Sequence, residues 1–299
     1  MAQSVWHRWH STLACILRQG CECLQYMKLV MPQPGVRPLT HPPTSRPHPA
    51  RRQNPRPPVA LMSFPGSGNT WVRHVLETLT GYHTGSIYHA EQLFDVFQAE
   101  ADGNRTHRLV IAVKTHKLHR CSQWRRGIVI VRHPVHAILS EYQRQRSGNK
   151  TAGVDPKDWD WDDWRKTSAG LCDHWKWMHS YALGRAGTVK PGPGGADGGC
   201  VARGGFKVFF YEDLTTASGG INPHFLDALL EWLGIAKADA YVDCAIANSR
   251  GSYKRVVPPD HPARLALTDQ KTLEGMQSKG CLSAYEEYTR RFERLRPGT

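Results

Sequence analysis

The chain has 299 residues, a formal net charge of +13 and 40% hydrophobic residues, enough for one sizeable folded domain. Its eight cysteines form no CxxC pair and no His-Cys spacing suited to zinc, so no metal is expected. Residues 1–57 carry +7 and the rest +6, and the basic residues are not interleaved with aromatics in any nucleic-acid module, which sets a nucleic-acid partner aside.

Residues 1–57 read as a Pro/Arg-rich, disordered N-terminal extension. Ten of the 20 prolines fall between Pro32 and Pro58, too dense for packed helices or central strands. The uncharged run Trp9–Leu17 is too short to span a bilayer, and no apolar centre leads to a small-residue cleavage site. No membrane span is expected, and the compartment stays open.

Residues 58–299 follow the pattern of one α/β domain. Short, unalternating apolar runs at Val59–Met62, Leu109–Val113, Ile128–Val131 and Phe206–Phe210 suit strands buried on both faces of a parallel sheet. Between them, Val72, Val75, Leu76 and Leu79 mark a helix face that stops at Gly81. Further on, Asn222 and Pro223 open a helix whose stripe is Phe225, Leu226, Leu229, Leu230 and Leu233, with Gly234 at its end. The alternation predicts a P-loop-type α/β fold, a doubly wound, mostly parallel sheet flanked by helices, with ligand at the carboxyl ends of the strands.

Two segments carry chemistry. FPGSGNTW, Phe64–Trp71, is a strand end, a tight turn and a helix start, in which Gly66 and Gly68 let backbone N–H groups crowd inward beneath the positive end of a helix dipole. VKTH, Val113–His116, puts an ammonium and an imidazole at a second strand end. The loop departs from the triphosphatase pattern GxxxxGK[ST], since Gly68 is followed by Asn69. Arg132 and His133 stand after Val131, where a magnesium-holding aspartate would be expected. The combination suits an anion held without Mg²⁺.

The blocks PGSGNTW, VKTH, VIVRHPVHAILSEY and FFYEDL, in that order, resemble the sulfotransferases that use 3′-phosphoadenosine 5′-phosphosulfate (PAPS). In wording the loop is most similar to the branch that includes the WSC-domain sulfotransferases, although no WSC-like cysteine module is visible. The resemblance, over Val59 to Leu233, implies that PAPS is the cosubstrate and that Pro65, Gly66, Ser67, Gly68, Asn69 and Thr70 form the 5′-phosphate loop. It further implies that Trp71 offers a ring face to adenine, that Arg132 and Ser140 hold the 3′-phosphate, and that Tyr211 reaches the nucleotide. In NSRGSYKR, Arg250 and Gly251 are similar to the last phosphate-binding turn. His116 would be the general base, with Lys114 stabilising the transferring sulfuryl group. Better-known members read PKSGTTW; Gly66 replaces their loop lysine, leaving Lys114 or Arg73 to supply the cation.

The resemblance also implies a hydroxyl-bearing acceptor, and Golgi members of the family make that lumen one compartment to consider. Trp159, Trp161, Trp164, Trp175 and Trp177 cluster where related enzymes carry acceptor-facing helices. Such clusters commonly pack a core, yet aromatic faces suit sugar rings, so a carbohydrate acceptor is the preferred reading. Residues 190–205 read as a Gly-rich loop without fixed structure, and Leu282–Leu295 as a last helix at the domain edge. Two alternatives stay open: a phosphotransferase on the same fold, and a non-catalytic PAPS-binding domain. Disulfide pairing and oligomeric state are not legible.

Overall fold

The computed structural model describes residues 56–94, 96–101, 110–148, 153–184, 199–202, 205–216, 220–237, 240–249, 257–292 and 294–295. Five strands, β1 (Val59–Ser63), β2 (His83–Ser86), β3 (Val110–Thr115), β4 (Gly127–Val131) and β5 (Phe206–Phe210), form one sheet in the order β2-β3-β1-β4-β5. The β1–β4, β2–β3 and β4–β5 ladders are parallel, in register at Leu61↔Ile128, Gly85↔Val113 and Val129↔Val208. The helices are α1 (Asn69–Thr80), α2 (Pro134–Ser147), α3 (Trp161–Leu183), α4 (Gly199–Ala202), α5 (Pro223–Leu233), α6 (Val242–Ala247), α7 (Pro262–Leu265), α8 (Gln270–Lys279) and α9 (Cys281–Arg291). All four strands expected from apolar runs are present within a residue or two. β2, reading HTGS, is the one the hydrophobic pattern does not reveal.

The chain divides into two compact units, the first Met1–Pro58, Val72–Lys114 and Leu226–Arg250, the second Val59–Trp71, Thr115–Phe225 and Gly251–Thr299. In the first, Val72, Val75, Leu76 and Leu79 are fully buried along α1, and Gly81 ends the helix at φ +70°. Its interior also holds charge. Arg73, fully buried, ion-pairs with Glu100, donates through Nε to Thr84 Oγ1 at 2.9 Å and through Nη2 to the Thr84 carbonyl at 2.8 Å, and lies 3.8 Å over the Phe97 ring. Glu77 accepts from the Thr84 amide and hydroxyl, each at 2.7 Å. Removing one member of such a pair strands a buried charge at a cost of roughly 3–5 kcal/mol.

In the second unit, Ala60, Met62, Val129, Val131, Phe206, Val208 and Phe210 share one cluster with residues of α2, α3, α8 and α9. Alternation sends Phe209 to the opposite face, where its ring meets Phe225 edge-on at 5.1 Å. Asp160 caps α3 by accepting from the Asp162 and Asp163 amides at 2.9 and 3.0 Å. Asn222 caps α5 through the His224 amide at 3.0 Å, as its sequence position predicts. Trp164 and Trp175 are fully buried, and Trp159 and Trp161 pack against the same core, so most of the tryptophan cluster is packing.

Several expectations need correction or fall outside the described residues. The extension over 1–57 lies outside them except for Arg56, whose Nη1 donates to the Leu233 carbonyl at 3.1 Å, and Pro57. Within 190–205, Gly199–Ala202 is a helical turn, tied to the rest of the chain by a disulfide from Cys200 to Cys121; residues 190–198, 203 and 204 are not described. A second disulfide, Cys172–Cys281, ties α3 to the start of α9. The last helix stops at Arg291, with Phe292 in extended conformation. Among the described residues no helix is long and apolar enough to cross a membrane, and no His, Cys, Asp and Glu group could hold a metal.

Two outcomes follow for stability. His179 is fully buried and its Nδ1–H donates to the Trp175 carbonyl at 2.8 Å; burial lowers its pKa to about 4 from 6.5, the carbonyl opposing. The depressed value means that its contribution is complete above pH 6.5 and is lost as pH falls toward 4, roughly 3 kcal/mol in all. Denaturant titrations across that window should show the loss, and His179→Gln should flatten it. The Cys172–Cys281 bridge spans 109 residues. Replacing both cysteines by serine should cost roughly 2–4 kcal/mol, read as a lower denaturation midpoint.

Candidate functional site

β1 ends at Ser63, and the chain turns at once. The Ser67 amide donates to the Phe64 carbonyl at 3.2 Å, closing a β-turn with Pro65 at its second position and Gly66 at its third, at φ +80°. Proline followed by a positive-φ glycine is the signature of a type II turn. Gly68 is also left-handed, at φ +83°, and α1 begins at the next residue. The first-turn amides of α1 have no intrahelical partners, so the turn ends in a set of N–H donors at the positive end of a helix dipole.

The turn sits hard against its neighbours. A Cβ on Gly66 would stand 2.5 Å from the Ala137 carbonyl oxygen and 3.0 Å from the Ser140 Cβ, both on α2. A Cβ on Gly68 would fall into the Tyr211 ring, just past β5. Arg132, just past β4, donates through Nη1 to the Gly66 carbonyl at 2.6 Å and lies 4.5 Å over the same Tyr211 ring. Trp71 stacks on Phe225 at 6.3 Å and meets Tyr211 edge-on at 6.2 Å. Thus Gly66, Gly68, Trp71, Arg132, Ser140 and Tyr211, read from separate stretches of sequence, meet around one turn.

His116 follows β3 by one residue. Its Nδ1–H donates to the Ser63 carbonyl at 2.8 Å, with the Ser63 hydroxyl 3.5 Å away. That bond fixes the neutral tautomer, with the basic lone pair on Nε2. Asn69 is buried and donates through Nδ2 to the Leu61 carbonyl at 3.2 Å and to Ser63 Oγ at 3.1 Å, so its side chain braces the strand end. Lys114 lies in β3 in register with Ser86 of β2, 8% exposed. Arg73, the other cation considered, is committed to Glu100 and Thr84. Arg250 and Gly251 lie outside the described residues.

Among the described residues, Ser67 Oγ, Asn69 Oδ1 and Arg132 Nε, on the turn or reaching it, are buried without a hydrogen-bond partner, as is Nδ1 of His133, the residue after Arg132. Buried polar groups are nearly always paired, so these atoms are candidate ligand contacts, although Trp164 Nε1, Trp175 Nε1 and His179 Nε2 in the core around α3 are in the same state. Sequence reasoning passed over three groups that shape the site. Ser63 carries both His116 and Asn69, and its signal was a lone hydroxyl closing an apolar strand. Glu212 accepts from the His133 amide at 2.9 Å and from the Tyr285 hydroxyl at 2.9 Å, which ties β5, α2 and α9 together. Burial pushes the His133 pKa below the ordinary histidine value, Glu212 opposing and Arg132 assisting, and nothing local in the sequence marks it.

A parallel sheet with a glycine turn from its central strand into a helix N-terminus defines a P-loop-type α/β protein. No family model matches the chain. A WSCD family member of Aedes aegypti is 31% identical over 274 residues, covering 86% of this chain and 77% of that protein. WSCD family members of Drosophila pseudoobscura pseudoobscura and Drosophila melanogaster are 32% and 31% identical over 204 residues, 66% of this chain. The chain belongs to the WSCD family. The aligned region spans 57% and 56% of the two Drosophila proteins. Among solved structures, a mouse sulfotransferase complexed with PAP superposes with a TM-score of 0.39 and 14% identity, over 79% of this chain and 91% of that one, a likeness that assigns no function.

Gly66→Ala combines a positive φ with a 2.5 Å approach to a backbone oxygen. It should destabilise the fold by at least about 1–2 kcal/mol in chemical denaturation, whereas Gly148→Ala, positive in φ but with open space around it, should cost less.

Proposed function

We propose that the protein is a sulfotransferase that moves a sulfuryl group from PAPS to a hydroxyl of a carbohydrate acceptor. The observation that carries the reading is the set of unpartnered donors, Ser67 Oγ and Arg132 Nε, buried beside a positive-φ glycine turn whose next residues open a helix. These residues suit a ligand with two phosphates. Bound PAPS supplies the activated sulfuryl group. The first turn of α1 with Ser67, and Thr70 within that turn, would hold the 5′-phosphate; Arg132 and Ser140 would hold the 3′-phosphate, the guanidinium fork matching its oxygens in pairs. Trp71 and Tyr211 border the adenine side. Arg250 and Gly251 stay in the proposal from the sequence resemblance alone.

His116 takes the proton of the acceptor hydroxyl at Nε2, and the Ser63 carbonyl holds the ring in that tautomer throughout. As the proton arrives the imidazolium keeps its Nδ1–H bond, so no reorientation is needed. Lys114 offsets negative charge developing on the leaving side. Arg73 is unsuited to that work, because its guanidinium is fully buried against Glu100 and Thr84. The Cys121–Cys200 and Cys172–Cys281 disulfides fit folding in an oxidising compartment, in keeping with a secretory-pathway enzyme.

PAP should raise the melting temperature while ATP raises it far less, since stabilisation follows occupancy. His116→Ala should lower kcat with PAPS by about 10²–10⁴-fold while PAP affinity stays within about twofold. Arg132→Ala should weaken PAP binding about tenfold or more. Lys114→Ala should lose turnover, and EDTA should change nothing. Transfer undiminished in His116→Ala would remove the base assignment, and equal stabilisation by ATP and PAP would remove the nucleotide assignment.

A further inference from the structure

Three elements converge on the residue that follows Arg132. His133 stands at the N-terminal end of α2, with Pro134 next, and its side chain makes no bond to the first turn of that helix. Its backbone N–H donates at 2.9 Å to Oε1 of Glu212, in the 3-10 turn Tyr211–Asp213 after β5. Its ring meets Tyr285 of α9 edge-on at 4.9 Å and lies 5.7 Å from the ring of His136, on α2. Nδ1 of His133 is buried without a hydrogen-bond partner among the described residues, so no bond on that atom fixes the proton count of the ring.

The charges that face the two imidazoles are Arg132 from the end of β4, Glu212 from the turn after β5 and Glu286 from α9. Beside Glu212, Asp213 ion-pairs with Arg294. The Tyr285 hydroxyl donates to Glu212 Oε2 at 2.9 Å, and burial with that carboxylate raises the phenol pKa and keeps it neutral. Burial lowers the His133 pKa below the ordinary 6.5, with Glu212 and Glu286 opposing and Arg132 adding to the fall. His136 is exposed along part of its side chain; burial of the rest, then Arg132 and His133, lower its pKa, with Glu212 opposing. Both rings therefore lie within electrostatic reach of the Arg132 guanidinium, and both are mainly neutral at pH 7.

We propose that His133 and His136 are proton-linked members of the 3′-phosphate subsite: a phosphate dianion on Arg132 draws a proton onto this pair, so nucleotide affinity gains as pH falls. The inference rests on the sulfotransferase reading and adds to Arg132 and Ser140 two residues whose charge answers the ligand. The dianion offsets the guanidinium charge and adds an attraction of its own, and the positive end of α2 disfavours an imidazolium until an anion meets it. The sign follows from linkage. The pair's pKa is low in the free protein and higher in the complex, so the gain is absent well above the complex's value, grows as pH falls through it, and is complete below the free protein's value. Two neighbouring imidazoles repel, so the pair shares about one proton. A rise of about half a unit to one unit corresponds to about threefold to tenfold in Kd. The phosphate itself titrates near about pH 6 and opposes this gain, which makes comparison with a variant necessary.

The test uses the full chain and PAP between about pH 7.5 and 5.5. Ring resonances of His133 and His136 in the wild-type protein, assigned by through-bond correlation to the backbone, should titrate with a pKa higher by about half a unit or more when PAP is saturating. Adenosine 5′-phosphate, which lacks the 3′-phosphate, should leave both values where they are. The Kd of the His133→Gln, His136→Gln double variant divided by that of wild type should grow about threefold or more across the same range, the titration of the phosphate cancelling in the ratio. The ring titration needs no variant, so it decides even where the double variant does not fold. PAP binding with neither ring pKa raised would overturn the proposal, as would an equal rise with adenosine 5′-phosphate, and in both cases the sulfotransferase reading would stand. Absence of PAP binding by wild type at every pH would instead overturn that reading, and the proton linkage with it.

Discussion

The closeness of the β1–α1 turn to α2 governs the rest of the site. With a carbonyl oxygen 2.5 Å from where a Cβ at Gly66 would sit, only glycine lets the turn seat itself there. The same residue must adopt φ +80°, which glycine tolerates and other residues resist. Because the turn is seated, Arg132 can reach the Gly66 carbonyl while covering Tyr211, and Ser140 faces the same loop. Glycine at this position thus has a packing reason. A long side chain at this position would need α2 to move away, and with it the groups that meet the turn.

Ser63 is the second fixed point. Its carbonyl sets the tautomer of His116 and its hydroxyl receives the Asn69 amide, so the His116 ring and the loop hang on one buried residue. Asn69, read from sequence as part of the phosphate loop, spends its amide donor on bracing β1 and leaves Oδ1 unpartnered. The Ser67 amide is likewise used to close the turn, and its hydroxyl is the buried group left without a partner. Two neighbouring residues of one motif therefore do different physical work.

Tryptophans along α3 divide between the core and the surface. Trp164 and Trp175 fill the core, where their area is removed from water, and Tyr285 and Tyr288 pack near Trp175. Trp177 points the other way because the helical period carries it to the opposite side. The Cys172–Cys281 bridge fixes the buried side of α3 to α9, and the Cys121–Cys200 bridge fixes the turn that brings His119 to the exposed side.

Local information sufficed for the strands and for the turn. Val59–Met62, Ile128–Val131 and Phe206–Phe210 are apolar enough to be strands wherever they fall, and FPGSGNTW fixes its own turn through proline and two glycines. Helix stops at Gly81 and Gly234 were legible for the same reason, a left-handed residue following an apolar stripe. Tertiary structure decided what depended on neighbours distant in sequence. HTGS became a strand because β3 lies beside it, not through any hydrophobicity of its own. Arg73 became a buried structural cation because Glu100 and Thr84 close around it, and Cys121, Cys172, Cys200 and Cys281 acquired partners that spacing could not name. Motifs with internal backbone constraints speak for themselves in a sequence; charge pairing, disulfides and the roles of Ser63 and Glu212 are contacts across the fold, and only the packed chain contains them.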